Sequence, residues 1–151
     1  MSIVADELDY TQTGKEIIRR SPPKKVVESI FRPEIPIEGI VEKVSKLLRL
    51  PENWDSYGSC TIKPEVGAFS IFLAASLLRP NMSAPSIVPI HNGGIQLEWH
   101  QNQADLEIAI NEPYKGEVYF FDQRSGREIC EPISGDFYFL EPYISRLSSV
   151  K

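Results

Sequence analysis

Two stretches of the chain alternate apolar and polar residues with a two-residue period. In the first, Ile95, Leu97 and Trp99 alternate with Gln96, Glu98 and His100; in the second, Leu106, Ile108 and Ile110 alternate with Asp105, Glu107 and Ala109. A hairpin closed around Asn102-Gln103 sets Leu97 against Ile108 and Trp99 against Leu106, as burial of one face demands. The same register places Glu98 directly opposite Glu107, and His100 opposite Asp105, on the other face. Like charges directly opposed on a sheet cost a few tenths to about 1 kcal/mol, so the pairing calls for an explanation. Three chemistries would use it. Carboxylates with an imidazole can hold a divalent cation, one carboxyl can stay protonated beside the other for acid–base work, or an acidic face can meet a basic partner. The plainest alternative is that the pair is solvated, or that a lysine or arginine lies between the glutamates.

Tyr119 and Phe121 project to the same side, where they alternate with the core positions Val118 and Phe120. Flat sheet faces rarely form the concave, water-excluding pockets of enzymes. Among the functional readings, partner binding through Gln96, Glu98, His100, Asp105, Glu107, Tyr119 and Phe121 therefore ranks above catalysis. A metal-dependent or acid–base hydrolase built on Glu98, Glu107, His100 and Asp105 is the alternative, and no cofactor or metal ligand set is assigned. Asn53, Trp54, Asp55 and Tyr57 form a polar, turn-rich loop with two large aromatics. The simpler expectation there is that Trp54 and Tyr57 plug the core while Asn53 and Asp55 satisfy loop amides. His91 reads as a turn residue, and Cys60 and Cys130 as small apolar fillers. No phosphate-binding glycine loop or nucleophile elbow is present.

The elements that must position these residues follow from periodicity and punctuation. Ile37, Ile40, Val41, Val44, Leu47 and Leu48 predict an amphipathic helix ending before Pro51. A second helix opens at Pro64 and runs to about Arg79, with Val66, Phe69, Leu73 and Leu77 on one face and Phe72 beside them. After Pro85 the period becomes two. Asn92-Gly93 predicts a type I′ hairpin, since both central positions of that turn need positive φ, and this sends Val88 and Ile90 to the core. Further strands cover Leu106–Ile110 and Val118–Phe121, and Ser125-Gly126 turns the chain toward Ile129. A short helix from about Glu141 to Ser149 offers Ile144 and Leu147. The expected fold is α+β: a five-stranded antiparallel meander with two helices on one face and a short C-terminal helix.

The net charge of −5 lies entirely in residues 86–151; residues 1–85 balance to zero. An acidic sheet region repels a phosphate backbone, which leaves nucleic acid only the basic segment with Arg19, Arg20, Lys24 and Lys25. Among the 12 prolines, Pro22, Pro23, Pro33 and Pro36 separate a flexible arm, residues 1–35, from a domain over 36–151. The 151-residue length suits one domain. No apolar run is long enough to span a membrane. The N-terminus shows no secretory signal, and 2 cysteines suit a reducing cytoplasm.

Leu50-Pro51-Glu52-Asn53-Trp54-Asp55-Ser56-Tyr57-Gly58 and Gly93-Gly94-Ile95-Gln96-Leu97-Glu98-Trp99-His100 stand out as a pair. With the helix opening at Pro64 and the strand at Ala104–Ile108, they resemble a family of small bacterial proteins over about residues 37–122. The family has no established activity to carry over; its setting, toxin–antitoxin or phage-defence systems, implies an antitoxin-like or accessory role. The combined expectation is a bacterial protein-interaction module that binds a protein partner, or itself, through the acidic face or the N-terminal arm.

Overall fold

The computed structural model describes residues 37–133 and 135–149. The expected arm, with Arg19, Arg20, Lys24 and Lys25, lies outside the described residues. Helix α1 spans Ile37–Leu47 and α2 spans Pro64–Leu77. Strands β1 (Ser86–Pro89), β2 (Ile95–Gln101), β3 (Ala104–Glu112), β4 (Lys115–Asp122) and β5 (Arg127–Pro132) follow. A 3₁₀ turn, Tyr138–Leu140, leads into α3, Glu141–Ser148. The strands pair in chain order, each antiparallel to the last, as one open five-stranded sheet. The fold is the expected α+β meander.

One face of the sheet builds the core. Ile95, Leu97, Trp99, Leu106, Ile108, Ile110 and Val118 are buried there with Phe120, under Ile40 and Val44 of α1, Leu73 and Leu77 of α2, and Ile144 and Leu147 of α3. Pro64 fits the first turn of α2, where no backbone N–H is needed. Gly67 lets the helices approach: a Cβ there would meet Leu48 Cδ1 at 3.0 Å and Val44 Cγ1 at 3.1 Å. The helix ends at Leu77, two residues before the expected Arg79. On α1 the expected apolar stripe is only partly used, since Ile37 and Val41 stay 41% and 39% exposed. Helix α3 is pinned to the sheet by Arg146, whose guanidinium donates to Asp122 Oδ1 at 2.8 Å and Asn102 O at 2.9 Å.

The β2–β3 register is as expected: Leu97 pairs with Ile108, Glu98 with Glu107, Trp99 with Leu106 and His100 with Asp105. The left-handed pair of residues that a two-residue hairpin requires is Asn102 and Gln103, with φ of 53° and 59°.

The β1–β2 turn differs from expectation. Ile90 N–H donates to Gly94 O at 2.9 Å and Gly93 N–H donates to Ile90 O at 3.0 Å, so the loop holds His91, Asn92 and Gly93. Only Gly93 takes positive φ, 90°, as in a three-residue loop with a left-handed last position. That extra residue shifts β1 by one relative to a type I′ hairpin and turns its side chains over. Ile87, opposite Leu97, is therefore buried, whereas Val88, opposite Gln96, lies on the outer side. Ile90 is only half-buried. Ile129, also expected in the core, packs against its edge.

Candidate functional site: the outer face of the sheet

The pleat of β2, β3 and β4 brings Gln96, Glu98, His100, Asp105, Glu107, Tyr119 and Phe121 to the face opposite the core, with Glu117 and Glu128 beside them. None of these residues is buried. The opposed glutamates are neither bare nor bridged by a base. The Gln96 side-chain amide donates to Glu98 Oε1 at 2.9 Å and to Glu107 Oε2 at 3.3 Å. A neutral amide satisfies both carboxylates without cancelling either charge.

His100 stands at the end of this row. Its Nδ1–H donates to Asp105 Oδ1 at 2.8 Å, and its Nε2 lies 3.8 Å from Glu98 Oε2. The hydrogen bond to Asp105 is the main cause that raises the imidazole pKa. Partial desolvation opposes it, and the charges of Asp105, Glu98 and Glu107 add to it. Gln123 approaches the second Asp105 oxygen at 3.4 Å. Tyr119 donates its hydroxyl to Glu128 Oε1 at 3.0 Å, which raises the phenol pKa. Glu128 was missed in the sequence; its place opposite Phe121, diagonal to Tyr119, follows once the β4–β5 register is known.

Among the described residues the face is open and convergent chemistry is limited. Among the described residues, no group of three or more His, Cys, Asp or Glu side chains converges as a metal ion would require. A shallow cavity of about 350 Å³ lies elsewhere, lined by residues that include Ser76, Arg79, Phe137, Tyr138 and Glu141.

The polar loop forms a second cluster. Asp55 Oδ1 accepts from the backbone N–H of Tyr57 at 2.8 Å and of Ser59 at 3.2 Å, and Asn53 Oδ1 accepts from Gly58 N–H at 2.6 Å. Asn53 and Asp55 thus satisfy loop amides, as expected. The two aromatics diverge from expectation. Trp54 is half-buried, and its indole N–H has no acceptor among the described residues. Tyr57 is 86% exposed, so it plugs nothing. It sits between Ser56 and Gly58, both left-handed with φ of 65° and 86°, which directs the loop apex outward.

His91 does more than occupy a turn. Its Nδ1 bonds Asp55 Oδ2 at 2.9 Å and its carbonyl accepts from Cys60 N–H at 2.9 Å. The imidazole holds the Asp55 carboxyl well below the usual carboxylate range, with the Tyr57 and Ser59 donors helping against partial desolvation. This clasp joins the loop at 53–58 to the turn that opens the segment at 93–100. Cys60 and Cys130 are exposed rather than buried fillers: Cys60 follows the clasped loop, and Cys130 faces outward opposite Tyr119. Among the described residues, no helix is long and apolar enough to cross a membrane. No family model, curated protein or solved structure matches the chain.

Proposed function

We propose that the protein is a binding module whose outer sheet face takes a basic segment of a protein partner. One observation carries the reading: among the described residues, the outer sheet face gathers Glu98, Glu107, Asp105, Glu117 and Glu128, none of them paired with a lysine or arginine, while Lys115, which shares the parity of Glu117 on β4, is held by Glu112. Uncompensated charge on an open surface favours electrostatic recognition over burial, and Tyr119 and Phe121 add apolar area of the kind interfaces use. The resemblance adds the setting, an antitoxin-like or defence-associated accessory protein of bacteria, working in the cytoplasm where exposed, unpaired Cys60 and Cys130 stay reduced.

Titration calorimetry with a lysine-rich peptide tests it. Binding should weaken as salt rises, and Glu98→Gln with Glu107→Gln should lower affinity at least five-fold, about 1 kcal/mol. Absence of binding at low salt, or equal affinity in the double variant, refutes the reading. The hydrolase alternative has the His100–Asp105 hydrogen bond in its favour, but it needs a water-excluding recess, which the described residues of this face do not form. Calorimetry with zinc, magnesium and manganese salts, on wild type and Glu98→Gln, separates its metal-dependent form from the binding module.

A further inference from the structure

Among the described residues, the last strand of the sheet has a free edge. β5 pairs with β4 on one side, and among the described residues its other side makes no backbone hydrogen bond. Just past the strand, Ile133 N–H donates to Gly116 O at 3.0 Å, continuing the register in which Glu117 pairs with Pro132. Backbone groups in a strand alternate in direction. Arg127, Ile129 and Glu131 therefore turn their N–H and C=O groups to β4, while Glu128 and Cys130 turn theirs outward. Pro132 offers only a carbonyl.

The opposite edge is guarded: β1 has four residues and ends at Pro89. β5 has six, and no proline before its last position. We propose that β5 pairs antiparallel with β5 of a second copy, about a twofold axis through Ile129 perpendicular to the sheet. This goes beyond the acidic-face reading and does not depend on it.

Symmetry leaves few registers, because a twofold axis requires one residue to oppose itself. With Glu128 on the axis, two carboxylates meet face to face. With Cys130 on the axis, Glu128 opposes Pro132, and one outward carbonyl per chain finds no donor. With Ile129 on the axis, every outward N–H and C=O of Glu128 and Cys130 is paired with the other copy.

Side chains agree with that register. Ile129 meets its own copy at the edge of the core face. Arg127 opposes the second copy's Glu131, and Glu128 opposes its Cys130, so no like charges are directly opposed. Arg127 is exposed and its guanidinium has no carboxylate partner among the described residues. Glu131 commits one oxygen, Oε1, to the Tyr143 hydroxyl at 2.5 Å, leaving Oε2 for an arginine. Within one strand the two residues lie four positions apart, on the order of 13 Å, too far to meet each other. Both copies would place their helices on the same side of a ten-stranded sheet.

The test is sedimentation equilibrium of the full chain from about 10 µM to 1 mM, a range suited to a small interface. The expected mass rises toward twice the 17.1 kDa of one chain. Cys130→Pro removes an outward N–H and spares the β4 ladder, so it should return the mass to that of the monomer with an unchanged far-ultraviolet spectrum. Arg127→Glu, on the surface, should do the same and carries the test if the proline variant misfolds. Ile129→Cys, with Cys60 and Cys130 replaced by alanine, should form an intermolecular disulfide on oxidation, because directly opposed residues in such a pair lie within disulfide reach. A monomer throughout the range overturns the proposal. So does a dimer that survives both Cys130→Pro and Arg127→Glu, or one that cross-links through native Cys130 but not through Ile129→Cys.

Discussion

His100 shows how one side chain reports on its neighbours. The Asp105 hydrogen bond raises its pKa in the folded state, so this bond contributes stability below the unfolded histidine value. That contribution is lost as pH rises through the folded pKa. Proton resonance titration of the imidazole should give a midpoint above the ordinary histidine value, and Asp105→Asn should bring it down. Asp122 behaves in the opposite sense. Arg146, its nearest donor, is the main cause that lowers its carboxyl to about 2. Its contribution is present above the unfolded value and is lost as pH falls through the folded one. Arg146→Gln should therefore shift acid unfolding to higher pH, as followed by circular dichroism. Gln96 was legible in the sequence as a member of the face, since it shares the parity of Glu98. Its role as the link between two glutamates needed the actual reach of the amide.

At the level of elements, the β2–β3 hairpin was readable because both strands alternate strictly and the turn residues suit left-handed backbone. β1 was not. Ile87, Val88 and Ile90 are all apolar, so parity alone cannot say which of them faces inward, and turn length decides. Ile87→Ala should cost about 2 kcal/mol in chemical denaturation, and Val88→Ala less than about 1. The turn itself predicts a contrast between two glycines. Gly93 has φ of 90° and a Cβ there would lie 2.8 Å from Thr61 O, whereas Gly126 has φ of 71° with open space around it. Gly93→Ala should cost about 2–3 kcal/mol and Gly126→Ala about 1. The loop at 53–58 misled for another reason. Tryptophan and tyrosine in a turn-rich segment suggest burial, but left-handed Ser56 and Gly58 turn Tyr57 out. Only local backbone geometry carries that information.

For the whole molecule, the class and strand order were legible because short connections and a change of period leave few ways to build a sheet. Five acidic residues of the sheet, Glu98, Asp105, Glu107, Glu117 and Glu128, share the face opposite the core, whereas Asp122 and Glu131 meet Arg146 and Tyr143 of α3 on the other. The C-terminal helix and its packing residues, Ile144 and Leu147, were legible too; its polar tie to the β2–β3 hairpin was not. Helix α3 buries Ile144 and Leu147 against the sheet, and its Leu147 carbonyl accepts from the Gln101 amide at 2.8 Å. A chain ending at residue 140 should therefore lose the cooperative unfolding transition, which differential scanning calorimetry would show, and not merely fray at its end.

The three-residue turn before β2 also decides what holds the register of β1 in place. Because β1 carries a branched apolar residue on each side, Ile87 inward and Val88 outward, a one-residue change of register would swap one for the other without burying a charge. Most strands punish such a frameshift of the pleat by burying charge. The pleat of this strand tolerates the shift, so the length of the turn is held by its own contacts, the His91–Asp55 hydrogen bond and the close fit of Gly93 against Thr61 O, and not by β1.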